Sequence, residues 1–108
     1  MKTSSLLVPL LLLTLLRGSV HAADGEGVYS ENCASCHGAD GKGRTPAGKK
    51  FGAKDLTQSK RPDAEITVQI REGTKDAKGN ARMPAFKAKL TPEEISAVAA
   101  YVKSLRKS

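Results

Sequence analysis

Apolar positions at helical spacing are densest toward the C-terminal end of the chain. Ile95, Val98, Tyr101, Val102 and Leu105 recur every three or four residues and predict one hydrophobic helix stripe. Its start is marked twice. Thr91-Pro92-Glu93-Glu94 reads as a capping box with proline at the first helical position, and Leu90 with Ile95 forms a hydrophobic staple around it. Lys103, Arg106 and Lys107 suit the negative end of that helix's dipole. Upstream, residues 63–72 are ambiguous. Ile66, Val68 and Ile70 alternate like a strand, whereas Ile66 and Ile70 alone fit a helix face. Gly73 reads as a helix C-cap and tips the segment to helix. Residues 25–36 predict a further short helix, in which Gly27, a weak helix former, suggests a close backbone approach.

Between these helices the periodicity stops. Residues 38–57 are glycine-rich and read as an extended loop, and residues 74–90 read as a second, polar loop containing Met83-Pro84. Loops as long as the first are uncommon in a small domain and usually functional; wrapping a cofactor accounts for this one. The chain shows no internal repeat, and its 108 residues have room for one domain.

The N-terminal pattern is of another kind. Lys2 precedes an apolar run over residues 6–16, interrupted by Pro9 and Thr14, and Val20-His21-Ala22 follows as a small-residue cleavage site. This is the anatomy of a secretory signal peptide, residues 1–22, leaving a domain at residues 23–108. The run falls short of the roughly 20 residues that span a bilayer. The expectation is an exported, periplasmic protein with no stable membrane insertion after cleavage.

Composition then narrows the picture. Residues 23–108 contain four aromatics (Tyr29, Phe51, Phe86, Tyr101) and no tryptophan, so a core of side chains alone would be marginal. A disulfide or a large apolar cofactor would make up the difference. The same residues carry 16 basic and 11 acidic side chains, a net charge of +5. The acidic ones among residues 23–40 are Asp24, Glu26, Glu31 and Asp40, with no basic residue beside them, so the remainder is strongly basic. Export argues against nucleic acid. An acidic protein face, an anionic membrane surface or a merely solvated lysine-rich surface remains.

The candidate chemistry lies in Asn32-Cys33-Ala34-Ser35-Cys36-His37-Gly38. It holds both cysteines and the one histidine outside the leader. A redox Cys-x-x-Cys usually opens a helix after a strand, within a βαβ pattern that this chain lacks. A zinc site needs about four ligands, and no second pair follows downstream. The third reading is haem attachment. Residues i and i+3 share a helix face, so Cys33 and Cys36 can add to two vinyl groups along one porphyrin edge, and His37 then points under the ring.

With these residues in view, the sequence resembles a class I c-type cytochrome over nearly all of residues 23–108. The features are a helix with Gly27 and Tyr29, the Cys33–His37 motif, Pro46, the Met83-Pro84-Ala85-Phe86 stretch and a C-terminal helix bearing Tyr101. The resemblance implies an all-α cytochrome c fold, about three main helices and long loops around one covalently attached haem c. It implies thioether bonds from Cys33 and Cys36, His37 as proximal ligand and Met83 as distal ligand. Pro46 would offer its carbonyl to the His37 ring N–H, and Gly27 and Tyr29 would pack on the terminal helix around Tyr101.

Met83 also stands out by itself, as the one methionine besides the initiator, in a loop stiffened by Pro84. A loop methionine that merely fills a gap, with Lys78, Lys87 or no residue at the sixth position, is the other reading. Methionine opposite histidine raises the reduction potential relative to two histidines. With both axial positions filled by protein, no substrate site is open, so the reading is an electron carrier and not an enzyme. The expected partners are redox proteins with acidic docking faces, met by a monomer. The alternatives are a peroxidase-like haem enzyme or ligand sensor with a labile sixth ligand, or a cytochrome subunit of a larger oxidoreductase. Arg82, the one candidate for a distal catalytic residue, reads as a solvated surface arginine.

Overall fold

The C-terminal helix forms as its capping signals require. In the computed structural model, which describes residues 23–106, this helix (α5) runs over Pro92–Ser104. Thr91 Oγ1 accepts from Glu94 N at 3.1 Å, and Glu94 Oε1 accepts from Thr91 N at 2.9 Å. Both members of the staple, Leu90 and Ile95, are buried, and Val98 is 0% exposed at the centre of the core. The expected signal peptide, residues 1–22, lies outside the described residues.

The N-terminal helix, α1 (Gly25–Asn32), packs across α5. The glycine at their crossing is Gly25, not the expected Gly27. A Cβ on Gly25 would run into Ala97 O and lie 3.2 Å from Tyr101 Cβ, whereas one on Gly27 meets only the Asp24 side chain. Helical spacing explains the difference. Gly25 is four residues before Tyr29 and shares its face, while Gly27, two residues before it, points elsewhere. Tyr29 is 2% exposed and its ring centroid lies 5.1 Å from that of Tyr101.

A single turn, α2 (Ala34–His37), follows α1, and then α3 (Pro46–Phe51) and a 3-10 turn (Leu56–Gln58). The expected extended loop over residues 38–57 is therefore partly helical. Thr45 N-caps α3 by accepting from Gly48 N at 2.9 Å, and Gly52 ends it at φ 72°.

Helix α4 covers Asp63–Glu72, which settles the ambiguous segment. Ile66 and Ile70 are buried while Val68 is 54% exposed, a helical and not an alternating pattern. Gly73 caps α4 as expected, with φ 69°. In the second loop, β1 (Thr74–Lys75) and β2 (Ala81–Met83) pair antiparallel as a small hairpin. α1 and α4 both lie against α5, and their apolar faces make one core with Phe86 and Leu90.

Candidate haem-binding site

Cys33 ends α1 and starts α2. Its N–H donates to Tyr29 O at 2.8 Å, and its carbonyl accepts from Cys36 N at 3.2 Å and His37 N at 2.9 Å. That one turn sets Cys33 and Cys36 on the same side of the chain. Both are free thiols. Cys33 is 8% exposed, and burial, with a smaller contribution from Cys36, pushes its thiol up to about 11. A redox dithiol needs the opposite, a lowered pKa, so the burial of Cys33 disfavours that chemistry.

His37 is half-buried. Its ring Nδ1 lies 3.1 Å from Lys54 O, a contact that fixes Nδ1 as the protonated nitrogen and leaves the Nε2 lone pair free. Burial lowers the imidazole pKa, opposed by the Lys54 carbonyl, so the neutral, metal-binding form is favoured. This corrects the expectation for Pro46. Pro46 sits at the first position of α3, and the carbonyl that meets His37 belongs to Lys54.

The loop around Pro46 supports the motif by another route. Thr45 Oγ1 lies 2.7 Å from Ser35 O and 3.0 Å from Cys36 O, so its single proton can serve either carbonyl. Gly43 N donates to His37 O at 2.7 Å. A Cβ on Gly48 would collide with Cys36 O and stand 2.7 Å from Gly43 O, so only glycine lets α3 come this close. From the other side Tyr29 OH donates to Gly38 O at 2.6 Å. Burial first, and then the charges of Cys33, Tyr101 and Asp40, raise the Tyr29 pKa, which keeps the phenol protonated as a donor.

Met83 stands on the other loop, as the last residue of β2, partly buried against the core. Its backbone is seated on the end of α4. A Cβ on Gly73 would collide with Met83 O and lie 2.7 Å from the Pro84 carbonyl carbon. Phe86 N donates to Ile70 O at 3.0 Å, which ties the Met83–Phe86 stretch to α4 again. Cys33, Cys36 and His37 thus share one turn, and Met83 is placed separately by α4.

A family model described as Cytochrome c matches residues 22–106. The chain belongs to the cytochrome c family. It is 40% identical over 79 residues to cytochrome c6 of Microcystis aeruginosa, covering 73% of this chain and 90% of that one. It is 44% identical over 82 residues to cytochrome c6 of Nostoc sp., covering 75% and 68%. The solved KustC0563 c-type cytochrome superposes with a TM-score of 0.67 at 38% identity, over 78% of this chain and 99% of that one. The cytochrome c fold is therefore all-α here, with the small hairpin as an addition.

A cytochrome c carries covalently bound haem c, and the residues present fit that group. Two free thiols stand one turn apart, an imidazole follows them with Nδ1 on the Lys54 carbonyl, and Gly48 leaves room for the Cys36 carbonyl where a Cβ would collide with it. Sequence reasoning missed the roles of Lys54, Gly25 and Gly48. The signal for α3 was present, since Thr45-Pro46 repeats the Thr91-Pro92 start of α5.

Proposed function

We propose that this cytochrome c is an exported single-electron carrier with His37 and Met83 as axial ligands and thioether bonds from Cys33 and Cys36. The observation that carries the reading is the His37 Nδ1 contact to Lys54 O. A histidine whose second nitrogen is held by a carbonyl keeps its ring orientation and gains basicity as a ligand. Bound haem supplies an iron that changes oxidation state by one electron. Met83 brings a soft sulfur whose ligation raises the reduction potential. With both ligands supplied by the chain, no position is left for substrate, which favours a carrier over a peroxidase-like enzyme or ligand sensor.

The leader pattern at residues 1–22 supports export to the periplasm and a domain at residues 23–108. Among the described residues no helix is long and apolar enough to cross a membrane. Arg44 before α3, Lys49 and Lys50 within it, Arg82 of β2 and Lys89 are exposed on the segments around the motif and Met83, which suits a redox partner with an acidic face. Lys87 contributes less there, since it is paired with Glu72 at 3.0 Å.

A second reading has one specific support. The chain is 36% identical over 93 residues to the cbb3-type cytochrome c oxidase subunit FixP of Bradyrhizobium diazoefficiens, a match to 29% of that subunit. A haem subunit of a larger oxidoreductase is the alternative.

The test is intact mass and spectroelectrochemical titration of protein purified from the periplasm. The carrier reading expects residues 23–108 plus one haem, eluting as a monomer, with a single one-electron wave. Co-purification in a large stable complex supports the subunit reading, and a chain without haem overturns both.

A further inference from the structure

Arg82 immediately precedes Met83 on β2, and its guanidinium reaches across to the loop that follows the His37 motif. Nη1 donates to the carbonyl of Phe51 at 3.2 Å, a contact between residues 31 positions apart. Phe51 ends α3, where the last carbonyls of a helix lack intrahelical partners and accept readily. The next residue makes room for the arginine. Gly52 stands at φ 72°, and a Cβ there would be 2.9 Å from Nη1.

Apart from the packing of the Met83 and Pro84 backbone on Gly73, the hairpin that carries Met83 is lightly held. β1 and β2 pair only with each other, and their side chains are exposed except for the partly buried Met83. The stretch after the hairpin bonds back to α4, through Phe86 N to Ile70 O at 3.0 Å and Lys87 N to Arg71 O at 3.3 Å. Among the described residues, the Arg82–Phe51 bond is the one hydrogen bond that joins residues 74–90 to residues 38–57.

We infer that Arg82 is a positioning residue for the sixth ligand, a clasp that holds the Met83 strand against the end of α3 and must release before Met83 can swing away. The inference rests on Met83 ligation as proposed above. Two features set its chemistry. The acceptor is a neutral backbone carbonyl, so the bond depends on donor geometry and not on an ion pair that salt would screen. The guanidinium is a planar fork that cannot lose its proton, so the clasp persists across the working pH range. An exposed bond of this kind shifts an opening equilibrium by roughly three- to tenfold.

The experiment uses the full ferric holoprotein with imidazole as the entering ligand, following loss of the long-wavelength Fe–S(Met) band by stopped flow. Arg82→Gln is compared with wild type, with Arg82→Lys, and with Lys75→Gln, which removes an equal charge from β1. The clasp predicts exchange about three- to tenfold faster in Arg82→Gln, partial recovery in Arg82→Lys and wild-type behaviour in Lys75→Gln. Unchanged exchange in Arg82→Gln, or equal acceleration in Lys75→Gln, overturns the clasp. If wild type lacks the band altogether, the Met83 reading itself falls and takes the inference with it.

Discussion

The imidazole of His37 is oriented by a backbone carbonyl 17 residues away, with Nδ1 3.1 Å from Lys54 O. Because the acceptor is main chain, the side chain of Lys54 is free to vary. Pro46, nine residues after His37, pre-sets the first turn of α3, and the carbonyl at His37 Nδ1 is that of Lys54.

This division predicts different outcomes at the two positions. Pro46→Ala should cost about 0.5–1 kcal/mol of stability by loosening the unfolded chain, and leave the reduction potential unchanged. Lys54→Ala should leave both unchanged. Denaturant unfolding and voltammetry on the two variants check this. A clear potential shift in Pro46→Ala would restore Pro46 as the partner of His37.

The glycines give a second set. Gly25→Ala and Gly48→Ala each force a methyl group onto a backbone carbonyl, of Ala97 and Cys36 respectively. Overpacking against main chain should cost about 1–3 kcal/mol at each site. Gly27→Ala meets only the exposed Asp24 side chain, which can swing aside, and should be neutral or stabilising by about 0.5–1 kcal/mol. Urea midpoints for the three variants rank them directly. Equal loss in Gly27→Ala would contradict the crossing at Gly25.

What the sequence made legible follows from where the information sits. α5 could be read to its first residue because Thr91, Pro92 and Glu94 act locally, through their own side chains. α4 was undecidable from Ile66, Val68 and Ile70 alone, since the choice depends on which of them α5 covers, and Val68 is the one left exposed. α3 carried its own start signal at Thr45-Pro46, masked by the glycines around it. The Lys54 carbonyl had no signal at all, because any residue offers one and only the folded loop selects it. The Cys33–His37 turn is the reverse case, where residue types at fixed spacing announce the chemistry before any packing is known.

Asp55 supplies a pH prediction. Its Oδ1 accepts from Thr57 Oγ1 at 2.6 Å and from Thr57 N at 2.9 Å, capping the turn next to Lys54. The Thr57 hydroxyl first, then its N–H and the charges of Arg44 and Lys42, hold the carboxyl below its ordinary 3.8, against some desolvation. Between the lowered folded value and the ordinary unfolded one, the unfolded chain binds more protons. The stabilisation is therefore present above the unfolded value and lost as pH falls through the folded one. Asp55→Asn keeps an acceptor but cannot titrate, so its stability should fall less steeply over that acid window. Urea midpoints against pH would show it, and parallel curves for wild type and variant would refute it.

The central claim is that Met83 completes the iron coordination opposite His37, and one spectrum addresses it. The oxidised protein should be low-spin with the weak long-wavelength band of an iron–methionine bond, and the reduced protein should resist carbon monoxide. Met83→Ala should abolish the band, lower the potential and admit carbon monoxide, while the haem stays attached through Cys33 and Cys36. If wild type already lacks the band and binds carbon monoxide as readily as Met83→Ala, Met83 is not a ligand and the carrier account is contradicted.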